Sequence, residues 1–459
     1  MNHNVFDLTL IEKYSTQGPR YTSYPTAVQF TDVLGANRFA ELVDESNESG
    51  KDLSLYAHIP FCDSICYYCG CNKIVTSNKR RAAPYLDAME KEMGMVAERL
   101  DSDRRVVQLH WGGGTPTFLS RQEQFRLSQA FRDLFHFVGD DEGEFSIEID
   151  PRTVTPSSIA DLREMGFNRL SFGIQDFDNR VQLAVNRIQS EDETRLAIEE
   201  GRRQGFHSIS VDLIYGLPLQ TANSFAKTID KIIDLSPDRI AVFNYAHLPH
   251  IFKVQRRIND AQLPSGQEKL DLLEMSINRL MDAGYVFIGL DHFAKPDDSL
   301  VRHQQNGTLY RNFQGYSTFS ACDLFGFGIS SISQVGNSYS QNAKGKHDYF
   351  AAIAAGQFPT VRGVELSEDD RIRRKVITEI MCNMKLDFSA IGREFGIDAD
   401  SYFEAEKKRL QPMHDDGLLV LNKHGFSVTA PGRLLIRNIA MIFDRYLPQV
   451  SRKTFSKVI

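Results

Sequence analysis

The sequence predicts an α/β protein built on a parallel sheet, followed by a smaller, mostly helical domain. Three observations carry this. Strand-length apolar runs alternate with helical patterns from residue 53 to about residue 290, the alternation stops near residue 365, and cap and turn residues mark the changes of pattern. The expected strands run from Leu53 to Ile59, Val106 to Trp111, Phe145 to Asp150, Arg169 to Gly173, Ser210 to Tyr215 and Ile240 to Ala246. After the first, Pro84 opens a helix that keeps Leu86, Met89, Met93, Val96 and Leu100 on one face. After the second, Ser120 and Glu123 have capping-box spacing ahead of Leu127, Ala130, Phe131 and Leu134. After the third, Thr155 and Pro156 supply an N-cap and first helical residue, and Gly166 a left-handed stop. Six such units suit an open barrel or a doubly wound sheet, and in either one ligands gather at the C-terminal ends of the strands.

The division expected is an N-terminal arm over residues 1–35, a catalytic domain over 36–364 and a C-terminal domain over 365–459. The arm contains Gly18-Pro-Arg-Tyr-Thr-Ser-Tyr-Pro-Thr26, which has no regular period and must lie on the rest of the protein. In the C-terminal domain Ser367 starts a helix with Ile372, Val376, Ile377 and Ile380. A hairpin follows, Leu418 to Leu421 with Phe426 to Val428, and then a helix bearing Leu434, Leu435, Ile439 and Ile442, an order like that of a winged helix. That segment holds 16 Lys and Arg against 14 Asp and Glu, a balance that argues against DNA binding.

With 459 residues and 42% hydrophobic content the chain can bury more than one core. Its net charge of -7 provides no field to hold a nucleic-acid backbone. The N-terminus lacks a signal-peptide pattern, and no stretch approaches eighteen uninterrupted apolar residues, so no membrane insertion and a cytoplasmic location are expected.

Four of the six cysteines fall in ten residues, Cys62-x3-Cys66-x2-Cys69-x-Cys71. Without paired His or a second Cys-x-x-Cys, a zinc ribbon is disfavoured, and the spacing suits an iron–sulfur cubane. Three ligating thiolates leave one iron open to a substrate or cofactor. Four close the cluster and limit it to electron transfer, so Cys71 is the ambiguous residue; a structural zinc knot is the bland reading.

The loop Gly112-Gly113-Gly114-Thr115-Pro116 follows the second strand, where missing Cβ atoms let backbone approach a ligand. It is weak evidence alone. Glu148 lies late in Ser-Ile-Glu-Ile-Asp-Pro, opposite in facing to Ile147 and Ile149; Gln175 and Asp212 lie near strand ends, and Arg187 in a polar stretch. Taken singly, each reads as a surface or salt-bridged residue; their joint position at one rim argues otherwise.

The three-cysteine loop with Tyr68 before its last cysteine, one strand ahead of the glycine loop, resembles the radical S-adenosylmethionine (SAM) superfamily. Pro19-Arg-Tyr-Thr-Ser-Tyr-Pro-Thr26, His58-Ile-Pro-Phe-Cys62, Cys71-Asn-Lys-Ile, Trp111-Gly-Gly-Gly-Thr-Pro, Val211-Asp-Leu-Ile-Tyr-Gly-Leu-Pro, Phe243-Asn-Tyr-Ala-His-Leu-Pro and Arg311-Asn-Phe-Gln-Gly-Tyr316 together resemble the bacterial oxygen-independent coproporphyrinogen III oxidase family. The resemblance implies an incomplete (βα)6, TIM-like radical SAM barrel with a helical C-terminal domain, holding one 4Fe-4S cluster and two SAM molecules. It implies that Cys62, Cys66 and Cys69 ligate the cluster, with Cys71 a fourth, non-ligating cysteine at the catalytic site. Tyr56, Gly113, Glu148 and Ile332 would contact the SAM on the open iron, Glu148 also counting as catalytic. Tyr68, Gly114, Thr115, Gln175, Arg187, Asp212 and Ala246 would contact the second. Tyr68 stands where some relatives have Phe, a change that keeps the aromatic face.

The implied reaction converts the ring A and B propionates of coproporphyrinogen III to vinyl groups in haem biosynthesis, through a 5'-deoxyadenosyl radical generated from SAM. It also implies an electron donor such as a flavodoxin or ferredoxin, a terminal electron acceptor of unspecified identity, and a monomer. Four substrate carboxylates call for cations, and Arg20, Lys73 and Arg311 are the candidates, with solvated surface charge the equal alternative. Two other classes stay open here: a haem carrier with the same barrel, against which Cys71 and the long arm stand, and an electron-transfer protein with Cys71 as fourth ligand.

Overall fold

The computed structural model describes residues 6–320 and 322–447. Of the described residues, 30–283 and 322–365 form the larger unit, and 6–29, 284–320 and 366–447 form the second.

In the larger unit six parallel strands lie side by side in chain order: β1 (Leu53–Ile59), β2 (Arg105–Gly113), β3 (Glu144–Ile149), β4 (Arg169–Gln175), β5 (Ser208–Tyr215) and β6 (Arg239–Asn244). Unreversed strand order is the mark of a barrel rather than a doubly wound sheet. β1 and β6 do not pair with each other, so the (βα)6 barrel is incomplete. The helices between strands start where the sequence places their caps. Ser120 and Glu123 close a capping box on Arg121–Leu134, Thr155 caps Pro156–Glu164, and Gly166 adopts φ +90° after it. Trp111, Ile147, Phe172 and Val211 are buried on the outward face of the strands; Trp111 meets Phe167 edge-on at 5.0 Å.

One extension has no counterpart in the sequence reading. Strand β7 (Asp323–Phe327) joins the free edge of β1 in parallel, and β8 (Ile332–Val335), β9 (Ser338–Asn342) and β10 (Thr360–Glu365) continue from it antiparallel. β7 and β9 are buried along their whole length, so they lack the alternation that reveals a half-buried strand.

The second unit has its own core, in which Tyr21, Tyr24, Ile288, Leu300, Leu309, Val376, Ile380, Phe403 and Phe443 are buried together. Residues 284–320 therefore group with the arm and the C-terminal segment, not with the barrel as the expected division at 36–364 has it. Ser367 caps Glu368–Asn383 as its spacing predicts. Lys385–Asp387, Gly425–Val428 and Leu419–Leu421 form a three-stranded antiparallel sheet, the wing of a winged-helix-like domain. The final expected helix is two short ones, Ala430–Leu434 and Ile436–Met441, interrupted at Leu435. Of the expected arm, residues 6–29 lie on this unit, where Tyr21 donates to Asp444 at 2.9 Å, Tyr14 to Asp416 at 2.5 Å, and Arg437 to the Pro19 carbonyl at 2.8 Å. Residues 30–35 group instead with the larger unit, in which Thr31 pairs with Gly363.

Candidate active site

Strand register decides which side chains meet. Tyr56 of β1 pairs with His110 of β2, and His110 with Ser146 of β3. Two residues on, Glu148 faces the same way, paired with Ser171, and Gly173 pairs with Asp212. Tyr56, His110, Glu148 and Asp212 thus share the inner face, with Glu148 and Asp212 toward the C-terminal ends of their strands.

His110 is held from three sides. It stacks on Tyr56 at 5.8 Å and 13°, its Nδ1 lies 2.6 Å from Ser146 Oγ, and its Nε2 lies 3.3 Å from Glu148 Oε1. The Gly113 N–H donates to the other Glu148 oxygen at 3.1 Å. Glu148 is 45% exposed, into the cavity its strand lines. Burial pushes its carboxyl up, but His110, the Gly113 N–H and His58 outweigh that and hold it below the usual range. Among the described residues Asp212 has no such donors. Burial, then repulsion from Glu148, push its carboxyl up to about 7 against the pull of Arg187.

The glycine loop packs backbone against backbone. Gly113 has φ +122°, and a Cβ on Gly114 would come within 2.6 Å of the Pro60 carbonyl. Gly114 N–H donates to Ile59 O and Thr115 N–H to Phe61 O, both at 2.8 Å, which ties this loop to the strand leading into the cysteines. The cysteine loop is pinned at several further points: Thr76 N–H to Cys62 O, Tyr67 N–H to Val185 O, Asn186 to Ile65 O, and Gln255 to Tyr68 O.

Between these loops lies a cavity of about 410 Å³ whose wall includes Cys62, Cys66, Cys69 and Cys71, all free thiols. Thr115 Oγ1 lies 3.6 Å from Cys62 Sγ, and Arg187 Nη1 3.6 Å from Cys66 Sγ. The contact with Cys71 lowers the Cys69 thiol to about 6, with Lys73 helping, whereas burial raises Cys62 to about 11. Several soft sulfur donors converging on one enclosed space, beside donors already aimed inward, fit an iron–sulfur cluster.

A profile of the radical SAM superfamily matches residues 56–232, and one of the HemN C-terminal domain matches residues 366–435. The oxygen-independent coproporphyrinogen III oxidase of Pseudomonas aeruginosa is 50% identical over 454 residues, covering 99% of both chains. That of Escherichia coli K12 is 49% identical over 455 residues, covering 99% of this chain and 98% of the relative. A solved structure of coproporphyrinogen III oxidase from Escherichia coli, described as a radical SAM enzyme, superposes with a TM-score of 0.91 at 47% identity over 96% of this chain and 99% of that one. The chain belongs to the oxygen-independent coproporphyrinogen III oxidase family.

Membership implies a 4Fe-4S cluster and SAM, groups that the residues lining the cavity fit. Of the expected site residues, Tyr68, Gly113, Gly114, Thr115, Glu148, Gln175, Arg187 and Asp212 line it with the four cysteines. Gln175 does so with φ +70°, an unusual backbone for a non-glycine residue. Tyr56 adjoins Glu148 through both histidines, stacked on His110 and 3.1 Å from His58 Nδ1. The Ala246 carbonyl takes 3.2 Å from the same Gln255 amide that holds Tyr68 O. Ile332 opens β8, and its carbonyl packs where a Cβ on Gly326, the β7 partner of Tyr56, would sit.

Three residues at or beside the cavity escape sequence reasoning: Asp150 and Arg152, which line it, and His110, which holds Glu148. Asp150 takes Arg187 at 2.9 Å and Arg152 at 2.6 Å. His110 was findable, since it lies two residues before Gly112 and hence on the same face of β2. Of the candidate cations, Lys73 donates to the carbonyls of Cys69 and Cys71 at 3.2 and 3.4 Å, and Arg20 pairs with Asp291.

Proposed function

We propose that this chain oxidatively decarboxylates coproporphyrinogen III to protoporphyrinogen IX, with one 4Fe-4S cluster and two SAM molecules. Each of two propionates loses one β-hydrogen atom, its carboxylate as carbon dioxide and one electron, leaving a vinyl group; the hydrogen atom would pass to the 5'-deoxyadenosyl group of SAM and the electron to an acceptor. The observation that carries the reading is the convergence of the Cys62, Cys66 and Cys69 thiols with the glycine loop, Glu148 and Asp212 on one cavity. When bound, the cluster and SAM supply the 5'-deoxyadenosyl radical.

The chain's own residues bind and orient. Cys62, Cys66 and Cys69 would hold the cluster, leaving Cys71 as a cavity thiol. Glu148, with its carboxylate fixed by His110 and Gly113, presents an anion to the amino group of one SAM, whose surroundings include Tyr56 and Ile332. Asp212, Arg187, Gln175, Thr115, Gly114, Tyr68 and Ala246 serve the second. The residues lining the cavity are mostly polar, with Glu148, Asp150, Arg152, Arg187, Asp212 and Gln175 among them, so the wall binds and orients polar groups through directed contacts. A flavodoxin- or ferredoxin-type donor supplies electrons, a separate acceptor removes them, and the enzyme acts as a cytoplasmic monomer. Among the described residues no helix is long and apolar enough to cross a membrane.

The test is anaerobic turnover of the reconstituted, reduced protein with SAM and coproporphyrinogen III. Protoporphyrinogen IX should form with two SAM consumed per product. Tight haem binding with no carbon dioxide or vinyl product would replace this reading with a carrier.

A further inference from the structure

Arg311 is 8% exposed, and neither its Nε nor its Nη1 has a hydrogen-bond partner among the described residues. It belongs to the hairpin of Tyr310–Asn312 and Gly315–Ser317, in register with Tyr316, and its guanidinium lies 4.8 Å from the Tyr316 ring centroid. A π face attracts a cation but accepts nothing from its in-plane N–H groups. A buried cation with unspent donors is costly to keep unless a ligand supplies the missing acceptors.

The surroundings of Arg311 add positive charge and little negative charge. Arg433, pushed down chiefly by burial, donates to Gln304 Oε1 at 3.0 Å. Arg437 is lowered to about 10, first by burial and then by Arg20, with Arg311 contributing to the repulsion. Asp291, the carboxylate felt by both Tyr316 and Arg437, is already paired with Arg20. Of the other carboxylates that share neighbours with these four guanidinium groups, Glu379 is paired with Lys375, and Asp444 accepts from Tyr21. A carboxylate ligand supplies both the acceptors and the charge.

We propose that Arg311 is the base of a carboxylate-binding site that takes a propionate side chain of the porphyrinogen, an inference that rests on the substrate reading above. The propionate held is one of the two that survive in the product. A guanidinium contact stabilises the carboxylate anion and so opposes its departure as neutral carbon dioxide, which makes Arg311 unsuited to a reacting group. Arg311 is thus a specificity-determining residue for the tetrapyrrole's acidic periphery.

The experiment compares wild type, Arg311→Gln and Arg311→Lys, all with reconstituted cluster, for anaerobic binding of coproporphyrinogen III, its neutral tetramethyl ester and protoporphyrinogen IX. Arg311→Gln should bind the tetra-acid and the product on the order of tenfold to a hundredfold more weakly, and the ester no differently from wild type. Arg311→Lys, which keeps the charge, should recover part of the loss. Without ligand, Arg311→Gln should melt close to or above the wild-type temperature, because it removes a buried charge whose Nε and Nη1 have no acceptor to lose, against the one contact with the Tyr316 ring.

Unchanged affinity for the tetra-acid overturns the proposal, as does equal loss for acid and ester, the sign of a general structural defect. Loss for coproporphyrinogen III with none for protoporphyrinogen IX overturns the assignment to a surviving propionate. If wild type itself binds no porphyrinogen, the substrate reading falls and takes this one with it.

Discussion

Arg187 and Asp150 form a buried ion pair of 2.9 Å at the cavity wall, and the same guanidinium nitrogen lies 3.6 Å from Cys66 Sγ. Both side chains are under 10% exposed. The guanidinium is fixed further by the Gly173 carbonyl at 2.5 Å, so Asp150 sets where the charge of Arg187 sits relative to the thiol.

Asp150→Asn should therefore cost on the order of 3 kcal/mol or more, because it leaves Arg187 as an underpaired buried charge. Urea denaturation of the apo-protein measures this. Burial raises the Asp150 carboxyl, but Arg152 and Arg187 overcome that and the net direction is downward. A lowered carboxyl contributes stability that is present above its unfolded value of about 3.9 and lost as pH falls through the lower folded one. The gap between wild type and Asp150→Asn should then narrow only in acid below about pH 4. A constant gap from pH 7 to pH 3 would contradict the assignment.

Replacing Cys62, Cys66 or Cys69 by Ala should abolish the cluster, whereas Cys71→Ala should leave it largely assembled. Three thiolates suffice, and the Cys71 backbone N–H, 3.4 Å from Cys69 Sγ, survives the loss of the Cys71 thiol that also contacts Cys69. Iron and sulfide counts on the four variants check this. Equal loss in Cys71→Ala would mean a closed four-cysteine cluster.

The barrel was legible because each strand and cap carries a local signal. Leu53–Ile59 has the bounds its apolar run predicts, and the caps at Ser120, Thr155 and Ser367 lie where their spacing puts them. The open barrel and the doubly wound sheet were not separable, since strand order is a long-range property with no local trace. Fully buried β7 hid for the same reason that residues 284–320 were misgrouped: their partners lie far away in sequence. At the site, the motif residues stood out by type and position. Asp150 did not, because its role depends on Arg187, 37 residues later.

Gly114→Ala should disrupt the site from outside the chemistry. Its Cβ would sit 2.6 Å from the Pro60 carbonyl and 2.7 Å from that of Phe61, backbone atoms that lead directly into Cys62. The expected result is a lower melting temperature and at least tenfold weaker SAM binding. Gly94→Ala is the control: it meets nothing within 4 Å inside the helix Ala83–Ala97, and should be stabilising by up to about 1 kcal/mol. If both variants behave alike, close packing at Gly114 is not what the loop requires.

Asp212→Asn should separate stability from function. Its carboxyl is pushed up to about 7, by burial first and by Glu148 next. The folded state therefore holds a proton that the unfolded chain releases near pH 4, and apo-protein stability falls as pH rises from about 4 to about 7, by at most about 1.4 kcal/mol per unit. Asparagine removes that dependence, so the variant should be the more stable protein at pH 7 and nearly equal at pH 4. For the enzyme the change runs the other way. Losing a charged acceptor weakens SAM at this site by about 1.5 to 3 kcal/mol, tenfold or more in affinity. Cluster content and the effect of SAM on the cluster's EPR spectrum should survive, since Glu148 and the three thiols are untouched, while product formation at limiting SAM collapses. Unchanged turnover there would sink both the placement of Asp212 and the need for a second SAM.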